Sequence, residues 1–160
     1  MLLSDSILSR LQYQHQTIAE LIDGLSADEL KLQVNPGKWS AFENIVHLAA
    51  YQPTFITRIH KITKGDNPFF ERYVAENDPL FYEYLKKNAV ELLSIIENDR
   101  RDIVHFFSEL NEDDFRKTAQ HPKYGNLAML QWLQFFLLHE AHHLWVILQL
   151  VYNPSAKTKK

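Results

Sequence analysis

No cysteine occurs anywhere in the chain, and glycine occurs only four times in 160 residues. The first absence excludes disulfides, a thiolate nucleophile of the chain's own and cysteine-ligated zinc. It also fits a reducing compartment, so the cytoplasm is the expected location. The scarcity of glycine, with only six prolines, leaves few breakpoints for tight turns. Basic excess is missing too: 17 Lys and Arg stand against 20 Asp and Glu, a net charge of -3, so no nucleic-acid partner is expected. The one basic run, Lys157 to Lys160, reads as a frayed end. The start MLLSDSILSRLQ has no basic n-region and no long apolar run, so no signal peptide is expected. Apolar stretches elsewhere are broken by Gln, Glu or His and do not suit a membrane.

What remains is helical. Val and Ile show no sustained period-2 runs, and four long apolar stripes recur at helical spacing. The fold class is therefore all-α, a four-helix bundle with no sheet of consequence, forming one domain over 1–153 with a flexible tail over 154–160. The first helix is expected from about Asp5 to Asp23. The second begins at Ser40, with Glu43 completing a capping box, and runs to about Lys64 with a kink at Pro53. Asp78 and Pro79 open the third, whose stripe runs from Phe81 to Leu110. Asn126 caps the fourth, which runs to about Tyr152. A weak repeat is visible: SADE after the first helix and NEDD after the third both look like short capped turns.

The link GDNPFFERYVAEN between the second and third helices is long for a bundle loop. Extended, it reaches about 40 Å at roughly 3.3 Å per residue. That equals the length of a helix of about 24 residues at about 1.5 Å rise. The link is thus able to cross the bundle end to end and leave those two helices parallel.

Eight histidines are present. On the fourth helix, at about 100° per residue, Phe136, Leu133, Ile147, Leu144 and Val151 centre the apolar face. His139 and His143 lie on its flank, one turn apart, where both can reach one cation. His142 falls toward Gln131, Gln134 and Gln149, the wetter side. The string His139-Glu140-Ala141-His142-His143 fits the H-E-x-x-H pattern of zinc peptidases, but no His, Asp or Glu follows His143 to serve as the downstream ligand. A carboxylate di-metal bundle is equally poorly served, because only Glu140 and His143 make an E-x-x-H pair. Upstream, His47 borders the apolar face of the second helix. If the second and fourth helices are antiparallel, His47 and His143 lie within about 3 Å of one level; if parallel, they are about 15 Å apart. Crossover and three-histidine site therefore support each other.

The stretches PGKWSAFENIVHLAAYQ and LQWLQFFLLHEAHHLWVI, in this order, resemble the DinB/YfiT-like superfamily of four-helix bundles. The likeness rests on Trp39-Ser40, on His47 seven residues after that serine, and on His139 and His143 late in the last helix. The resemblance implies a metal triad of His47, His139 and His143, a divalent ion, commonly zinc or nickel, the long crossover, and pairing into homodimers. It implies no single reaction. Some members are thiol-dependent S-transferases and others are labelled hydrolases, so a small-molecule substrate is expected, with a small-molecule thiol as a possible cosubstrate. A non-enzymatic, stress-linked bundle whose metal is structural or absent is the competing reading.

Glu140 falls amid the apolar face of its helix, where a carboxylate needs a partner or a raised pKa. Three roles are open: hydrogen-bonding a ligand histidine from another helix, acting as a catalytic general base, or pairing with a core polar group such as Gln52 or Arg58. Trp39 is expected to pack as a hydrophobic staple ahead of the Ser40 cap.

Overall fold

The computed structural model describes residues 3–153; the expected C-terminal tail lies outside the described residues. Ser4 caps α1 (Asp5–Tyr13) by accepting from the amide of Ile7. The single first helix expected to Asp23 is instead interrupted by a 3₁₀ turn, Gln14–Gln16, before α2 (Thr17–Ile22). The interruption falls where two polar residues enter the apolar stripe: His15 is buried and the Gln14 amide reaches across to the last helix. The SADE turn forms a short helix, α3 (Ala27–Lys31), with a Ser26/Glu29 capping box.

Ser40 and Glu43 make the expected box at the head of α4 (Ala41–Thr63). The Ser40 amide donates to Glu43 Oε2 at 2.7 Å, and the Glu43 amide donates to Ser40 Oγ at 3.2 Å. The helix continues through Pro53. The third helix does not run as one. Asp78 caps α5 (Pro79–Tyr84), which ends within two turns, and a new start follows at Asn88 for α6 (Ala89–Glu109). The Asn88 side chain accepts from the Glu91 amide at 3.0 Å and Glu91 accepts from the Asn88 amide at 2.8 Å. Asparagine prefers this capping geometry to a helix interior, which is why the apolar stripe alone misreads the break.

NEDD forms α7 (Glu112–Arg116), capped by Asn111. After it comes an element the periodicity hides: an antiparallel hairpin of β1 (Thr118–His121) and β2 (Gly125–Ala128). Asn126 pairs with Gln120 inside this ladder and is therefore not a helix cap. The last helix, α8 (Met129–Val151), starts after Ala128, whose amide donates to Gln131 Oε1 at 2.8 Å. The hairpin also holds the crossover. Phe70 donates to the Gln120 carbonyl at 3.0 Å, and Gln120 donates to the Pro68 carbonyl at 2.8 Å.

Helix directions follow from the contacts. Along α4, Asn44 meets His143, Tyr51 meets His139, Phe55 stacks on Phe136, and Arg58 lies over Trp132, so α4 and α8 are antiparallel. Gln52 meets Ile96 and Arg100 while His60 meets Phe106, so α4 and α6 run parallel, as the crossover requires.

The apolar core comes in two parts. One contains Ile18, Ile45, Leu48, Leu92, Ile96, Leu144 and Ile147. The other contains Leu11, Phe55, Ile59, Ile103, Trp132, Phe136 and Leu137. Between them lies a buried polar layer contributed by all four bundle elements. Arg100, only 1% exposed, forms an ion pair with Glu140, 2% exposed. Its Nη1 donates to the Leu11 carbonyl at 3.2 Å and its Nε to Gln52 Oε1 at 3.3 Å. Gln14 donates to Glu140 Oε1 at 2.9 Å and to the Leu137 carbonyl at 2.8 Å. His15 is buried beside this layer; desolvation, then the charge of Arg100, lowers its pKa to about 4, so it sits there neutral.

A buried pair of this kind is costly to break from one side and cheap to replace whole. Arg100→Met or Glu140→Leu alone is expected to lower unfolding free energy by about 3–5 kcal/mol, and the double replacement to recover most of that loss. Urea denaturation of the four proteins measures the cycle; additive losses would contradict the pairing.

Candidate metal centre

The Ser40 cap sets the start of α4, and from it one face follows: Asn44, His47 and Tyr51. The antiparallel α8 brings His139 and His143 to the same level. One ring nitrogen from each of His47, His139 and His143 lies within 4.8 Å of the others. His47 Nε2 and His139 Nε2 are 2.9 Å apart, and the His47 ring centroid lies 4.3 Å from that of His143. His142 is exposed and points out of the cluster, as the helical wheel requires.

The orientation of His143 is fixed by a residue the sequence reading passed over. Asn44 Nδ2 donates to the Ser40 carbonyl at 2.8 Å, which turns its Oδ1 toward His143. His143 Nδ1 lies 2.8 Å from that oxygen and so carries the proton, leaving Nε2 with a free lone pair. This is the tautomer a metal ligand needs, set from outside the ligand shell. The signal was present as an asparagine one turn before His47, but nothing in the pattern distinguished it from a surface polar residue.

Burial lowers the pKa of each imidazole to about 3, with neighbouring histidines adding to the effect: His143 on His47, His47 and His142 on His139, His139 and His142 on His143. All three are neutral at physiological pH, the state in which imidazole binds a cation. Donor chemistry and spacing fit a divalent ion. Metal–nitrogen bonds of about 2.0–2.1 Å in a tetrahedron place ligand nitrogens about 3.3 Å apart, a few tenths of an ångström from the 2.9 Å seen for one pair. Two imidazole nitrogens aimed at each other need a shared proton or a shared cation. The buried Nδ1 atoms of His47 and His139 have no protein partner. Among the described residues no fourth His or carboxylate joins the cluster.

The open side of the triad faces a cavity of about 410 Å³. Trp39, Tyr51, Tyr73 and Phe135 give it an aromatic wall, and Arg58 and His121 line it as well. Trp39 does not act as a staple. The position it would pack against, one turn into α4, is Asn44, and its ring instead lies 5.1 Å from His47 and 5.4 Å from Phe81. Tyr73 donates to Asp78 Oδ2 at 2.8 Å. Burial raises the pKa of Tyr51 and Tyr73 alike, so both remain phenols near neutral pH.

Glu140 is not on this wall. Its carboxylate faces the other side of α8, paired with Arg100 and Gln14. Of the partners expected for it, Gln52 belongs to the same layer but reaches it through Arg100, and Arg58 lies in the cavity instead. The actual partner, Arg100, is 40 residues away in the chain.

A mostly helical bundle with a crossover and a partly buried three-histidine cluster at the mouth of a cavity defines the class of protein. The chain belongs to the DinB superfamily, whose family model matches residues 10–147. A protein of Oceanobacillus iheyensis named "putative metal-dependent hydrolase" is 24% identical over 120 residues, covering 75% of this chain and 69% of the relative. The structure of YfiT from Bacillus subtilis, described as a probable metal-dependent hydrolase with an unusual four-helix bundle topology, superposes with a TM-score of 0.74 at 16% identity. That match covers 91% of this chain and 84% of YfiT. TT2238, described as a four-helix bundle protein, matches with a TM-score of 0.65 at 20% identity, covering 89% of this chain and 96% of that one. Among the described residues no helix is long and apolar enough to cross a membrane.

The Asn44 contact predicts a tautomer. In metal-free protein, nitrogen NMR of the histidine rings is expected to show His143 protonated at Nδ1. Asn44→Ala should abolish that preference while leaving His47 and His139 neutral. An Nε2-protonated His143 in the parent would contradict the assignment.

Proposed function

We propose that the protein binds one divalent metal ion through His47, His139 and His143 and uses it as an enzyme acting on small molecules, by hydrolysis or by transfer of a thiol. The observation that carries this reading is the combination of three neutral, converging imidazoles with a cavity on their open side. A structural site is closed by four protein ligands, whereas a catalytic one keeps a position for substrate. When bound, a divalent ion held by three imidazoles lowers the pKa of a water or thiol and supplies a nucleophile near neutral pH. Zinc or nickel suits the all-imidazole donor set. The names carried by the Oceanobacillus relative and by YfiT point the same way.

The protein's own residues divide the remaining work. Asn44 orients His143. Trp39, Tyr51 and Tyr73 pack around the triad and exclude water from its flanks. Glu140, held by Arg100, keeps α8 in place rather than moving protons at the site. With that carboxylate engaged by Arg100, a metal held by His47, His139 and His143 would supply the activation that a general base otherwise gives. Since the chain has no cysteine, any thiol used there is a small-molecule cosubstrate, beside the hydrolytic route.

The test is elemental analysis of protein purified without a histidine tag. About one zinc or nickel ion per chain is expected in the parent, none in His143→Ala, and an affinity about 10–100-fold weaker in Asn44→Ala. A parent that holds no metal after reconstitution, or a His143→Ala protein that holds it equally well, would overturn the reading. A thiol-transfer and ester-hydrolysis screen on the loaded protein then separates the two reactions.

A further inference from the structure

Among the described residues, two arginines in the cavity wall, Arg58 and the exposed Arg72, have no ion-pair partner, and Arg58 is the half-buried one. Arg58 Nη2 donates to the Glu71 carbonyl at 2.7 Å, and Nη1 makes a long contact of 3.4 Å to the Tyr51 phenol oxygen. The guanidinium lies 5.4 Å from the ring centre of Phe70, 5.8 Å from that of Trp132 and 5.9 Å from that of Tyr51. Among the described residues no carboxylate forms an ion pair with it. A guanidinium has five N–H donors, and two are engaged here. Aromatic faces partly offset the loss of water but supply no anion.

Its neighbours in the same cavity are donors too. His121 Nδ1 accepts from the amides of Lys123, at 3.1 Å, and Tyr124, at 3.2 Å, so its proton sits on Nε2. Burial, helped by the charges of Arg58 and Lys123, holds the His121 pKa below the ordinary value, so the ring is a neutral donor. The Tyr51 oxygen accepts from Arg58, which leaves its own O–H to donate. Three donors of different chemistry thus share one wall. The acidic residues that also line the cavity, Glu71 and Glu76, are exposed, as is Arg72, and their charges are screened by solvent.

We propose that Arg58, with Tyr51 and His121, forms an oxyanion-recognition subsite beside the triad, and that the substrate is a small organic molecule bearing a carboxylate. The Tyr51 ring touches both groups: its centroid lies 4.7 Å from that of His139, and the Arg58 guanidinium lies 5.9 Å from it. A carboxylate docked on Arg58 therefore places the rest of the molecule along the aromatic wall with its reacting group at the histidines. This substrate class rests on the reading of the cavity as an active site; the anion subsite itself does not require the metal.

The test uses metal-free protein and two probes of one shape, benzoate and benzamide, followed by calorimetry and by the arginine Nε–H signals in NMR. Benzoate is expected to bind more tightly than benzamide and to shift the Arg58 signal. Arg58→Met should weaken benzoate about 10-fold or more without changing benzamide. Arg72→Met should behave as the parent. Arg58→Lys keeps the charge without the planar fork, so it should retain part of the preference and separates recognition from any role of Arg58 in clipping the crossover to Glu71, which the melting temperature reports. Equal binding of the two probes, no binding of either, or loss of the preference in Arg72→Met instead would overturn the proposal. Failure of benzoate in a protein that still takes up one zinc per chain removes the subsite alone. Failure of zinc uptake with the benzoate preference intact removes the metal alone.

Discussion

The ion pair between Arg100 and Glu140 is the constraint on which the rest of the molecule turns. Both groups are buried to within 2% of their surface, and Leu11, Gln14 and Gln52 hydrogen-bond to them from three different elements. An apolar interface between helices tolerates small rotations, because methyl groups repack at modest cost. A buried charge does not, since turning either helix would strand it without its partner. Glu140 therefore fixes which face of α8 meets α1 and α6. His139, one residue earlier, and His143, three residues later, are carried onto the flank that meets α4. Asn44 and His47 complete the arrangement from the other side.

The two apolar halves of the core brace this layer from above and below. The crossover and the hairpin, hydrogen-bonded to each other, close over the cavity that the triad faces. The result is a division of labour by charge. Glu140 has its cation in Arg100, so the cavity is lined by neutral imidazoles and by Arg58, a guanidinium without an ion-pair partner among the described residues. A divalent ion held by the triad would add to that positive potential, and the proposed anionic ligand would complement it.

Much of this was legible in the sequence because it is written at short range. The 3.6-residue period placed His139 and His143 inward and His142 outward, and the Ser40/Glu43 box located the start of α4 and hence the level of His47. The length of the link implied the crossover, which in turn implied antiparallel α4 and α8. What escaped was set by competition or by distance. Asn88 breaks a continuous apolar stripe because its side chain caps better than it propagates. The hairpin at 118–128 is stabilised by pairing with the crossover, a contact no local pattern encodes, and so Asn126 looked like a cap. Arg100 sits among charged residues of an amphipathic helix, and only the three-dimensional packing shows that it is the one fully buried there among the described residues. Glu140, by contrast, was visible as a problem in need of a partner, though the partner could not be read.

The central proposal is that three histidines, and no carboxylate, hold a metal, because the buried carboxylate nearest in sequence, Glu140, is already bound to Arg100. X-ray absorption at the zinc edge of the loaded protein tests it most directly. The account predicts three imidazole nitrogens at about 2.0–2.1 Å with the remaining position taken by a light atom from solvent or ligand. Two imidazoles, or a protein carboxylate in the first shell that persists in His142→Ala and is lost in Glu140→Gln, would contradict it.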